Sequence, residues 1–87
     1  MTEPYEIFLR SEAIESLRGI RGTPRKAIAG FIDSLALSPS STGDYTVQDV
    51  TGRVIYIKVL GSHAVTFWAD HAAKEIRITD IRSADRA

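Results

Sequence analysis

The sequence predicts an α+β domain of order β-α-α-β-β-β(-β), with an N-terminal helical hairpin packed on one face of an antiparallel sheet. Three observations predict it. The first half holds one strand-period stretch followed by two helix-period stretches. The second half holds four strand-period stretches with short connections, and the run Ser38–Asp44 between the halves is the only linker-like segment. With 87 residues, 44% hydrophobic and 25% charged, the chain suits one globular domain spanning 1–87.

Tyr5–Arg10 alternates Tyr5, Ile7 and Leu9 against Glu6, Phe8 and Arg10, a period of two that fits a strand. Ser11 is placed to cap a short helix, with Glu12 and Glu15 in its first turn, Ala13, Ile14 and Leu17 as its buried stripe and Gly19 as its stop. Thr23-Pro24 marks the next start, since proline tolerates the first helical position. Ile28, Phe31, Ile32 and Leu35 then share one helical face, and Pro39 ends the helix. Tyr45–Val50, Arg53–Leu60, Ala64–Ala69 and Lys74–Ile81 follow as strands, and their short connections call for a meander.

Register decides which side chains meet. A two-residue turn at Gly61-Ser62 would pair Leu60 with His63 and put Lys58 on the face of Val65 and Phe67. A three-residue loop pairs Leu60 with Ala64 and gathers Ile55, Ile57, Val59, Val65 and Phe67 on one face. A four-residue loop at Asp70–Ala73 adds Ile76 and Ile78. The second register is expected, because two amphipathic helices need an apolar face to cover. The opposite face then carries Lys58, Thr66 and Arg77 in one row, with Tyr56, Trp68 and Glu75 beside it.

Composition narrows the chemistry. Eleven basic and eleven acidic residues give zero net charge, which excludes coating nucleic acid through bulk charge but not a local cationic site. No cysteine is present, so neither a disulfide nor a thiolate metal site is expected. Two histidines, His63 and His71, are too few for a histidine-only metal site, and no metal or cofactor is expected. No apolar run reaches the ~18 residues of a membrane helix. The start Met1-Thr2-Glu3-Pro4 lacks the layout of a secretion signal, so a cytoplasmic protein is expected.

The strand, the Ser11-Glu12-Ala13 helix start, the Leu35–Pro39 helix end, Arg53–Val59, Val65–Asp70 and a last strand running into Ile81-Arg82 together resemble the RelE/ParE superfamily of type II toxin–antitoxin toxins. The resemblance spans nearly the whole chain. It implies either a ribosome-dependent endoribonuclease that cuts mRNA or a ParE-like inhibitor of DNA gyrase, each neutralised by a small antitoxin. On the nuclease reading Lys58, Arg77 and Arg82 are the catalytic, phosphate-stabilising residues, and Tyr56 or Trp68 stacks on a base. His63 is the one histidine placed beside this face. The basic run Arg18, Arg21, Arg25 and Lys26 is a candidate docking patch for RNA or for acidic antitoxin residues, or else a solvated helical corner. Ala64 stands where the family usually has an arginine, and the tail Ser83–Ala87 has no tyrosine. Both features, with zero net charge, favour the alternative: a ParE-like gyrase inhibitor or a weakened member that only binds its antitoxin.

Overall fold

A computed structural model describes residues 3–84. Met1 and Thr2 of the N-terminal reading, and Asp85, Arg86 and Ala87 of the tail reading, lie outside the described residues. Strand β1 (Glu6–Leu9), helices α1 (Ser11–Arg18) and α2 (Gly22–Leu37), and strands β2 (Tyr45–Gln48), β3 (Val54–Leu60), β4 (His63–Asp70) and β5 (Glu75–Ser83) follow in that order. The sheet runs β1-β5-β4-β3-β2. Strands β2 to β5 form the expected antiparallel meander. Strand β1 instead joins the edge parallel to β5, so the sheet is mixed rather than antiparallel throughout. The two helices carry the chain from β1 at one edge to β2 at the other, and the meander then returns to lay β5 beside β1.

Both helices pack on one face of this sheet. Ala13, Ile28, Ile32 and Leu35 meet Val65, Phe67, Ile76, Ile78 and Ile81 in a single core. Phe67 sits at its centre, edge-on to Phe31 at 5.5 Å and stacked with Tyr56 at 5.7 Å between ring centroids. Burying a phenylalanine of this kind stabilises the fold by roughly 1.5–3 kcal/mol. Ile14 is exposed instead of buried, because the stripe of this two-turn helix is the i,i+4 pair Ala13 and Leu17. Neither helix start carries a side-chain cap. Ser11 falls on the first helical residue rather than before it, and α2 begins at Gly22, one residue ahead of Thr23. Gly19 does occupy the C-cap of α1.

The β3–β4 register is the two-residue one. Leu60 pairs with His63, Lys58 with Val65 and Tyr56 with Phe67. Gly61 has φ 61° while Ser62 keeps a negative φ, the backbone of a tight hairpin turn with glycine first. This local geometry fixes the parity, and the apolar pattern of β3 gives way to it. Tyr56, Lys58 and Leu60 therefore face the helices, and Ile55, Ile57 and Val59 face the open side, the reverse of the expectation. Lys58 is tolerated there because its side chain keeps 33% of its surface exposed and reaches Asp44 at 3.5 Å.

Strand β5 keeps the expected faces although its register moves. Asp70 pairs with Glu75 across a four-residue turn, and Phe67 pairs with Ile78 rather than Ile76, a shift of two that preserves parity. A bulge between Thr66 and Phe67 then brings Ile81 into the core. No helix among the described residues is long and apolar enough to cross a membrane.

Candidate functional site

The face of the sheet that the helices leave uncovered carries a shallow groove of about 910 Å³. Cross-strand pairing builds it in rows. Tyr45, Ile57, Thr66 and Asp80 form one row, and Val59, Ala64 and Arg82 form the next. Arg10 and Glu12, where β1 turns into α1, close one side. The β2–β3 half of the groove is thus apolar with a tyrosine at its edge. The β5–α1 half holds paired arginines and carboxylates.

Each arginine of the open face has a carboxylate partner. Arg82 pairs with Asp80, Arg10 with Glu12, Arg77 with Glu75 and Arg53 with Asp49. The Arg82 side chain remains 79% exposed and that of Arg10 66%. Exposed pairs of this kind contribute about 0–1 kcal/mol. A phosphate that accepts two hydrogen bonds from a guanidinium fork can therefore displace them.

A second, smaller feature adjoins the groove. Trp68, Arg77 and Phe8 lie side by side across β4, β5 and β1. The Arg77 guanidinium lies 5.2 Å from the Phe8 ring centre, and the Arg53 guanidinium 3.8 Å from that of Trp68. Arg53 is itself held by Asp49, whose Oδ1 accepts from the Thr51 hydroxyl at 2.6 Å and from the Arg53 N–H at 3.0 Å. The Thr51 hydroxyl foremost, then the Arg53 and Thr51 N–H groups and the Arg53 charge, lower the pKa of Asp49. Asp44 is lowered in the same way, first by the Val59 N–H at 2.8 Å and then by Lys58.

The residues expected from sequence divide between the two faces. Trp68, Arg77 and Arg82 lie on the open face, but Trp68 pairs with Arg77, and Thr66 pairs with Ile57 and Asp80. The expected row of Lys58, Thr66 and Arg77 does not form. Lys58 is on the helix side and bonded to Asp44, and Tyr56 is stacked on Phe67 in the core. His63 follows the parity of Val65 and also leaves the groove. At the helical corner Arg25 donates to the Leu17 carbonyl at 2.7 Å and the Ile20 carbonyl at 3.3 Å, stapling the end of α1. Arg18 pairs with Glu15, whereas Arg21 and Lys26 are exposed and make no ion pair among the described residues.

Arg10, Tyr45, Asp80 and Arg53 were not singled out from sequence. The signal that finds Tyr45 and Arg53 is Gly61-Ser62: read as a two-residue turn, it puts Arg53 and Ile57 on the open face and, through Ile57, Tyr45. Arg10 and Asp80 depend on the β1–β5 pairing and the β4–β5 bulge, which no local pattern marks. Among the described residues no group of three histidine, cysteine or acidic side chains is placed to hold a metal ion.

No protein-family model matches the chain, and no curated protein matches it. Solved structures do. A chain of the archaeal RelE–RelB complex from Pyrococcus horikoshii superposes with a TM-score of 0.79 at 17% identity, over 97% of this chain and 99% of that one. A RelBE toxin–antitoxin complex from Mycobacterium tuberculosis gives 0.74 at 15%, over 92% and 98%. The isolated RelE toxin of E. coli gives 0.73 at 12%, over 95% and 87%. With the element order, the mixed sheet and the uncovered face on one side, this chain has the fold of the RelE toxins.

Proposed function

We propose that the chain is the toxin of a type II toxin–antitoxin pair, a metal-independent endoribonuclease that cuts mRNA on the ribosome in the cytoplasm and is held inactive by a small antitoxin protein. The observation that carries this reading is the groove on the uncovered sheet face, lined by Arg82, Arg10, Asp80 and Tyr45. The fold shared with structures of toxin–antitoxin complexes supports the antitoxin partner.

RNA cleavage of this kind needs a base, cations around a dianionic phosphorane and an acid. Arg82 and Arg10 exchange their carboxylate partners for the phosphate oxygens. The Asp80 carboxylate, freed from Arg82, takes the proton of the ribose 2′-hydroxyl. The 2′-oxygen bonds to phosphorus as the bond from phosphorus to the 5′-oxygen breaks, leaving a 2′,3′-cyclic phosphate and a 5′-hydroxyl. Tyr45 gives its phenolic proton to the departing 5′-oxygen, and solvent returns the proton from Asp80 to the phenolate. Tyr45 and Asp80 stand three strand spacings apart, about 14 Å along the sheet with Ile57 and Thr66 between them, so the phenolic proton reaches the 5′-oxygen through a bridging water. Lys58, on the other face, takes no part in this scheme.

A second reading has its own observation. Every arginine of the open face is already paired with a carboxylate, and Ala64 leaves the centre of the groove uncharged. That balance suits a member that binds without cutting, whether a gyrase inhibitor or a protein that only engages its antitoxin. Inducing the chain in bacteria, with and without the neighbouring reading frame, separates the two. Growth arrest relieved by the neighbour, with new mRNA 5′ ends inside ribosome-bound codons, is expected. Arrest with intact mRNA and induced DNA-damage signalling would support gyrase. No arrest would overturn both toxin readings.

A further inference from the structure

The row Trp68–Arg77–Phe8 walls a slot of about 340 Å³ that the cleavage chemistry does not use. Its walls are aromatic at both ends, with a guanidinium between them. The volume is at the small end of ligand sites, fitting one flat ring system rather than a larger molecule. Glu75 accepts from one nitrogen of the Arg77 fork, and among the described residues the other guanidinium donors have no side-chain or backbone partner. A planar fork between aromatic faces matches the edge of guanine, whose O6 and N7 accept two hydrogen bonds side by side while its ring stacks. Adenine offers a donor at the position of O6 and uracil has no adjacent acceptor pair. Cytosine has one, at N3 and O2, but its single ring gives the aromatic walls less surface to stack on than a purine does.

Two further observations favour a base within a strand over a free nucleotide. Arg10 and Thr79 line both the slot and the groove, so the two are continuous. A nucleotide whose base enters the slot leaves its phosphate beside Arg10. The slot is also held in shape in advance: Asp49 fixes Arg53, and Arg53 lies on Trp68 from the β3 side, away from the slot. A platform ordered before binding loses less entropy on binding.

We infer that this slot takes a guanine base of an RNA strand lying in the groove, with Arg77 reading the base and Phe8 and Trp68 stacking against it; the inference rests on the reading that the open face binds RNA. Trp68 is the only tryptophan in the chain, so its fluorescence reports the slot directly. Titrating the purified full chain with a short oligouridine carrying one central guanosine should quench Trp68 at about tenfold lower concentration than plain oligouridine. Guanosine monophosphate alone should quench more weakly than the guanosine-bearing strand. Phe8→Ala and Arg77→Lys should each abolish the preference; both side chains are over 40% exposed, and circular dichroism checks that the variants fold. Equal quenching by the two strands would overturn the slot, as would a preference that survives both substitutions. Mononucleotide binding as tight as the strand would overturn the strand assignment in favour of a nucleotide pocket. The titration requires no cleavage: a chain with the preference that cuts no mRNA keeps the slot and loses the proposed activity, and a chain that cuts mRNA without the preference does the reverse.

Discussion

The helix-covered face of the sheet and its open face differ in what a substitution removes. On the covered face Val65, Phe67, Ile76, Ile78 and Ile81 are close to fully buried, and no buried side-chain polar atom among the described residues lacks a partner. Those five side chains contribute to stability and offer almost no surface to a ligand. On the open face the arginines stay largely solvated against carboxylates. Their pairs add little to stability and are exchangeable. The same contrast holds between arginines: Arg25 is bound to main-chain carbonyls fixed in place by the end of α1, while Arg82 is bound to a side chain that can let go. Stability and binding are thus assigned to opposite sides of one sheet, and substitutions can test the division.

The largest expected effect is on the covered face. Phe67→Ala should cost about 3–5 kcal/mol, lowering the melting temperature by well over 10 °C at about 4–8 °C per kcal/mol for a chain of this size. Gly43→Ala comes next, because a Cβ there would stand 2.5 Å from the Ile57 carbonyl oxygen. Backbone cannot yield as a side chain does, so β2 should shift off β3 at a cost of about 2 kcal/mol, read by urea denaturation. Arg25→Ala should cost about 1 kcal/mol by removing the two hydrogen bonds that tie α2 to the end of α1. If the melting temperature does not move, Arg25 belongs with the solvated corner after all.

The smallest effect is a pH response of the open face. The folded-state pKa values of Asp44 and Asp49 are depressed, so their contribution is complete above the unfolded value near 4 and is lost as pH falls through the folded values. Acidification below about pH 4 should therefore release Arg53 from Trp68 and shift the tryptophan emission, with no change between pH 5 and 8. A shift centred near pH 6 would implicate a histidine instead.

The elements themselves were legible because their signals are local: the helix face Ile28–Leu35, the stop at Gly19 and the strand alternations of β1 and β4 survive in the structure. The parity of β3 was not. Val54–Leu60 is largely apolar on both alternations, so burial alone cannot choose between Ile55-Ile57-Val59 and Tyr56-Lys58-Leu60. A single positive φ at Gly61 decides it, and that choice moves Lys58 and Tyr56 away from the site and Tyr45 and Arg53 into it. The position of Arg10 depends on β1 lying parallel to β5, a pairing across nearly the whole chain that no local pattern encodes. Trp68 and Arg77 were placed correctly on the open face because a register shift of two leaves parity unchanged, whereas Arg82 reaches that face only through the bulge between Thr66 and Phe67, which reverses the alternation beyond Ile78.

The most direct measurement compares Arg10→Ala/Arg82→Ala with the unaltered chain, each purified and added to ribosomes carrying mRNA. The double variant should keep its melting temperature within about 2 °C, since exposed pairs contribute so little, and should lose codon-specific cleavage at least about a hundredfold. Cleavage that persists in a folded double variant, or the absence of any cleavage by the unaltered chain, would contradict the assignment of the open face as an RNA-cutting site.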